Sequence, residues 1–135
     1  MEIRELEART GVTAKTIRYY EQAGVLPAPR RKPNGYREYD EKDVERLKFV
    51  AGARKLDFSL NDIAEILAMR DRREAPCRVV LDLLEQKARE VARRIKELKK
   101  LETDLRELHE LGATFPTDDV DGKSCVCHLV SSRAS

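Results

Sequence analysis

The side chains best suited to chemistry are Cys77, Cys125, Cys127 and His128. Cys125 and Cys127 form a Cys-x-Cys-His run with His128, in a segment rich in Pro, Gly, Asp and Ser. Two or three thiolates with an imidazole suit a soft or borderline ion: zinc, cadmium, lead, mercury or Cu(I). The same thiols could instead serve a redox switch. A lone cysteine is more often a small buried hydrophobe, and two cysteines one residue apart are poorly placed for a mutual disulfide. His128 reads equally as a ligand or as an exposed tail residue. His109 stands among Glu107 and Glu110 and reads as a surface histidine.

The element that must position these groups is one long helix. Pro76 opens it and Gly112 ends it, giving a helix over about 77–111. Leu84, Ala88, Val91, Ile95 and Leu98 follow alternating spacings of four and three, and Leu101, Leu105 and Leu108 continue after a slip of one residue. A helix of about 35 residues reaches roughly 50 Å at 1.5 Å per residue. A leucine seam that long is expected to pair with a second copy in a coiled coil, antiparallel or parallel, rather than fold back on a shorter N-terminal unit. Cys77 begins the helix, and Cys125 and Cys127 follow its end. In an antiparallel dimer, Cys77 of one protomer would meet the tail thiols of its partner. The helix N-terminus also favours thiolate at Cys77.

The N-terminal part shows shorter elements. Residues 2–9 place Ile3 and Leu6 at helical spacing before Gly11 breaks the pattern. Thr13 is a candidate N-cap for a helix over 14–22, and Gly24 a candidate for its C′ position. Two short helices around a tight turn suggest a helix-turn-helix. Three prolines then exclude a helix between Leu26 and Tyr39, and Asn34-Gly35 predicts a hairpin with a type I′ turn. A hairpin after a helix-turn-helix is a wing. Asp40 is positioned to cap a helix over 41–55 and Ser59 another over 60–70, with Asp62 completing most of a capping box. Phe58 is placed as a staple residue.

Charge supports an anionic partner only after it is mapped. The 135 residues carry 27 Lys+Arg against 25 Asp+Glu, a net +2 that looks too weak for nucleic acid. Yet Arg9 to Arg37 holds seven basic residues and one acid, Glu21, a segment charge of +6. Such a block is either a solvated face or a phosphate-contacting surface. The longest apolar run, Ile66 to Met69, is too short to span a bilayer, and MEIRELEART lacks a secretory core. An odd, small cysteine count argues against a disulfide framework, so a cytoplasmic location is expected. Neither a phosphate-binding glycine loop nor a Ser/His/Asp set is present, so no enzyme is expected.

The run from Thr16 to Leu26 (TIRYYEQAGVL), then Arg30-Arg31 and Asn34-Gly35-Tyr36-Arg37-Glu38-Tyr39, closely resembles the MerR family of bacterial transcription regulators. Leu56 to Ile63 (LDFSLNDI) is similar to that family's next signature. The match is strong over residues 1–70, and the long helix and cysteine-bearing tail extend it to nearly the whole chain.

The resemblance implies a mainly α protein in three parts. These are a winged helix-turn-helix DNA-binding domain (1–75), a long antiparallel coiled-coil dimerisation helix (76–111) and a C-terminal metal-binding loop and tail (112–135). It implies a homodimer on a palindromic operator in double-stranded promoter DNA, between −35 and −10 elements spaced too widely. Effector binding would bend and untwist that DNA and realign the elements for RNA polymerase. No membrane partner is implied.

Lys15, Thr16, Arg18 and Tyr19 match the family's recognition helix, with Arg18 suited to a guanine edge. Tyr19, Tyr36 and Arg37 match phosphate-contacting positions, and Arg30 and Arg31 flank the wing. Tyr20 matches a core position.

In the heavy-metal-responsive branch, a cysteine at the start of the long helix goes with divalent-ion sensors, whereas Cu(I)-type sensors carry serine there. Cys77 therefore favours Zn, Cd, Pb or Hg over Cu(I) or Ag(I). Cys127 matches the last loop cysteine. The branch also has a cysteine just after the long helix, where this chain reads Leu111-Gly112-Ala113-Thr114. Cys125 is a replacement candidate, and Asp118 or Asp119 could supply an oxygen. A thiol-redox or electrophile sensor of the same fold is the alternative.

Overall fold

A computed structural model of the chain describes residues 1–119 and 125–134. They form two compact units, Met1–Lys87 and Ala88–Ser135. The architecture is mainly α. In order come α1 (Ile3–Thr10), α2 (Ala14–Gln22), the strands β1 (Arg30–Arg31) and β2 (Arg37–Glu38), α3 (Glu41–Lys55), α4 (Leu60–Asp71), α5 (Cys77–Gly112) and α6 (Cys127–Ser131). A 3₁₀ turn, Ser132–Ala134, follows α6.

Local chemistry sets the helix ends of the first unit. The Thr13 hydroxyl accepts the Thr16 N–H at 3.2 Å and starts α2. Gly24 closes it with φ 78°, while Val25 N–H donates to Tyr20 C=O and Gly24 N–H to Glu21 C=O. That is a Schellman ending, which glycine adopts without a Cβ penalty. Complete capping boxes open α3, between Asp40 and Asp43, and α4, between Ser59 and Asp62.

The core of this unit gathers Leu6 of α1, Ile17 and Tyr20 of α2, Val44, Leu47 and Val50 of α3, and Ile63, Ile66 and Leu67 of α4. Phe58 is buried in the same cluster as Ile63, consistent with a staple. Val79, Val80 and Leu83 pack partly buried against it, so the first turns of α5 belong to this core. The Arg9–Glu41 pair ties α1 to α3, and Arg46 pairs with Asp71 at 2.9 Å between α3 and α4.

The wing is an antiparallel pair with Arg30 opposite Glu38 and Arg31 opposite Arg37. Its turn differs from the expected type I′. Only Gly35 of the Asn34-Gly35 pair has a positive φ, 86°, and Gly35 N–H donates to Lys32 C=O at 2.9 Å. Pro33 explains this: it has no N–H to close a Pro33–Tyr36 pair around a two-residue turn, so Lys32 closes the hairpin on Tyr36 instead and Pro33, with φ near −65°, takes the first central position of a turn from Lys32 to Gly35. The loop therefore has three residues, with Gly35 in the bulge position.

In the second unit, Val91, Ile95, Leu98, Leu101 and Leu105 of α5 are all exposed. The only buried residue of α5 is Gly112. The tail, expected to be a loop, instead forms the short helix α6 from Cys127. No helix among the described residues is long and apolar enough to cross a membrane.

Candidate nucleic-acid interface and thiol site

α1, α2 and the wing converge on a cleft of about 620 Å³ lined by Arg4, Arg18, Arg31, Tyr36 and Arg37. Four guanidinium groups and a phenol around one cleft make a surface for anionic oxygens. Arg18 and Lys15 are exposed on α2. Tyr19 and Tyr36 are exposed as well, while Tyr20, next to Tyr19, is buried in the core. Thr16 is half-buried and engaged in the α2 cap through its N–H and its hydroxyl.

The wing arginines have internal partners that fix their positions. Arg30 bonds Asp40 at 2.6 Å, and Arg31 donates to Gly35 C=O at 2.8 Å across the turn. Arg37 Nε lies 3.5 Å from Glu21 Oε1, and the Glu21 side chain is only 8% exposed. Tyr39 donates its hydroxyl to Glu21 Oε2 at 3.3 Å. Burial, then the Glu21 charge, pushes the Tyr39 hydroxyl up to about 12. The recognition helix and the wing are thus joined through one buried carboxylate.

Two residues of this face were not singled out from sequence. Arg4 lies among Glu2, Glu5 and Glu7, so its stretch reads as acidic. Glu2 is in fact turned to Lys32, at 3.6 Å. Glu21 was the single acid of a basic block, and its separation in sequence from Arg37 left no local signal.

The thiols are positioned by the two ends of α5. Cys77 is its first residue and is exposed. Beyond its last turn, Cys125 and Cys127 come together: Cys127 N–H donates to Cys125 Sγ at 3.4 Å. A side-chain hydrogen bond with Cys125, then repulsion from it, pushes the Cys127 thiol up. His128 is exposed and its N–H donates to Cys125 C=O at 3.0 Å. Among the described residues, no three His, Cys, Asp or Glu side chains of one chain gather into a metal-binding group. Two converging soft donors fit part of a three- or four-coordinate site for a borderline or soft ion.

A basic winged helix-turn-helix with an exposed recognition helix defines a DNA-binding protein. Residues 1–70 match the model of the MerR helix-turn-helix family of regulatory proteins, and residues 44–108 match the model described as MerR, DNA binding. The chain belongs to the MerR family, whose members are transcription regulators and not enzymes.

It is 42% identical over 108 residues to the mercuric resistance operon regulatory protein of Bacillus cereus, covering 80% of this chain and 82% of that one. It is 38% identical over 110 residues to the ZntR homologue of Haemophilus influenzae, covering 82% of each. Among solved structures, the transcription regulator PbrR691 of Ralstonia metallidurans CH34 in complex with lead(II) superposes with a TM-score of 0.78. Its sequence identity is 32%, with 96% of this chain and 98% of that one covered.

Proposed function

We propose that the chain is a cytoplasmic, metal-responsive regulator that binds a palindromic promoter operator as a homodimer. Metal binding distorts the DNA and activates transcription by RNA polymerase. The observation that carries the metal reading is the convergence of Cys125 and Cys127 in a chain that begins its long helix with Cys77. Cys125 holds the Cys127 thiol in its protonated form, and a bound cation would displace that proton, so binding would strengthen as pH rises. The relatives named for mercuric resistance, and the relative solved with lead(II), support the same reading.

Cys77 of one protomer, with Cys125 and Cys127 of the other, supplies three sulfurs, and His128 is the candidate fourth donor. A bound ion would supply charge neutralisation and a bridge between protomers. The exposed apolar stripe of α5 supports pairing with a second copy, and the antiparallel direction that this site requires is the one the family resemblance implies. Zn, Cd, Pb and Hg are favoured, with Cu(I) or Ag(I) as the alternative effector. On the DNA side, Arg18 reads a base edge. Lys15, Thr16, Tyr19, Arg30, Arg31, Tyr36 and Arg37 contact or orient backbone contacts, joined by Arg4. A thiol-redox or electrophile sensor using the same thiols is the alternative reading.

The test is promoter activation in vitro with reduced protein, titrated with Zn, Cd, Pb, Hg and Cu(I). Activation by one or more of these ions is expected, and Cys77→Ser is expected to remove the response while keeping operator binding. Activation by oxidant alone, with no metal effect, would replace this reading with the redox one.

A further inference from the structure

Gly112 is the last residue of α5 and its only buried one. Among the described residues the left-handed glycines are Gly11, Gly24 and Gly35, so Gly112 does not need glycine for its backbone angles. Alanine would favour the helix there. What excludes it is space. A Cβ at position 112 would come within 2.9 Å of Val126 Cγ1, 3.5 Å of Val126 Cγ2 and 3.6 Å of Leu129 Cδ1. The first distance requires a shift, and valine has no long flexible arm to move aside.

Val126 sits between the two tail thiols in sequence. Its backbone is helical, φ −53° and ψ −29°, and in that conformation the Cys127 N–H reaches Cys125 Sγ. The next turn closes with His128 N–H to Cys125 C=O and Leu129 N–H to Val126 C=O, at 3.0 and 2.9 Å. Pinning Val126 therefore pins both sulfurs. The helix end is itself finished by Ala113 N–H to His109 C=O and Phe115 N–H to Gly112 C=O, which gives Val126 a firm seat.

We propose that Gly112 is a positioning residue. Its missing side chain lets Val126 and Leu129 seat on the last turn of α5, and this seat holds Cys125 and Cys127 together as a preformed pair of soft donors. The function of the pair rests on the metal reading above; the seat itself does not. Pre-organisation lowers the ordering cost of capturing an ion.

The experiment compares five proteins in a Cys77→Ser background, so that only the tail thiols react: the parent, Gly112→Ala, Gly112→Ser, Val126→Ala and the Gly112→Ala/Val126→Ala double variant. The rate of labelling by a neutral disulfide reagent is expected to rise about threefold or more in each single variant as the tail opens. In the double variant the new Cβ occupies the room left by the two valine methyls, and the rate is expected to return toward the parent. Gly112→Ser, which adds the same Cβ, is expected to repeat the effect of alanine. A parental rate in Gly112→Ala, or a double variant showing the product of the two single effects, overturns the proposal. With Cys77 restored, the sulfur-to-metal charge-transfer band of added Cd(II) reads the pair directly. That band should require more Cd(II) in Gly112→Ala than in the parent, and an unchanged titration overturns the positioning role. No band in the parent overturns the metal reading instead, while the labelling rates still decide the seat.

Discussion

Glu21 and Arg37 face each other between the recognition helix and the wing, Oε1 to Nε at 3.5 Å, with the carboxylate almost wholly buried. Among the described residues, neither of these two atoms has a hydrogen-bond partner, so the ion pair is all that faces them. A buried pair of this kind is weak evidence for net stability, but breaking it leaves a charge without compensation. Its value here is geometric, since α2 reads DNA and β2 carries the wing. Glu21→Gln is expected to lower unfolding stability by about 1–3 kcal/mol, judged from denaturant midpoints. It should also weaken operator binding. Stability and operator affinity both equal to the parent's would mean that the pair positions nothing.

Tyr39 gives this junction a pH signature. Its folded value of about 12 lies above the ordinary 10.0, so the native state holds its proton more tightly than the unfolded chain. The stability it contributes is fully present below pH 10 and is lost as pH rises toward 12. The loss is on the order of 2 kcal/mol. Denaturant midpoints measured across this window should fall more steeply in the parent than in Tyr39→Phe. Parallel slopes would remove Tyr39 from the account.

The arginines of the cleft divide by role. Arg18→Ala is expected to cost about 1–3 kcal/mol on the operator and to narrow the gap between operator and unrelated DNA. Arg4→Ala and Arg31→Ala should weaken binding to both DNAs alike and reduce the salt slope by about one. Binding titrations at several salt concentrations separate the two patterns. Equal losses on all DNA for Arg18→Ala would end its role as a base reader.

Leu98 is 63% exposed in the middle of the α5 stripe. Leu98→Asp would place a charge in the seam of a coiled coil and is expected to give monomers in sedimentation velocity, with operator affinity lost together with the dimer. A dimer of unchanged stability would place the interface elsewhere.

Much of this was legible in the sequence because it is encoded locally. Thr13, Asp40 and Ser59 sit where helix starts need an oxygen, and Gly24 where a helix end needs a left-handed residue. The wing was legible from Asn34-Gly35, but its turn type was decided by Pro33, one residue earlier. The Glu21–Arg37 pair and the exposure of Arg4 to the cleft depend on how α1, α2 and β2 pack, which local pattern does not encode. Gly112 read as a helix stop, although what it supplies is room for Val126, a contact across the tail. α6 was missed because five residues give no usable periodicity and its register depends on that contact.

A metal site shared between protomers is tested most directly by mixed dimers. One mixed dimer combines a Cys77→Ser protomer with a protomer carrying Cys125→Ser and Cys127→Ser. The other combines an unaltered protomer with one carrying all three changes. A shared site leaves the first dimer one intact site and the second none. The first is therefore expected to retain Cd(II) charge transfer and promoter activation, and the second to lose both. The reverse, with the second dimer responsive and the first silent, would show that each chain builds its site alone and would contradict the account.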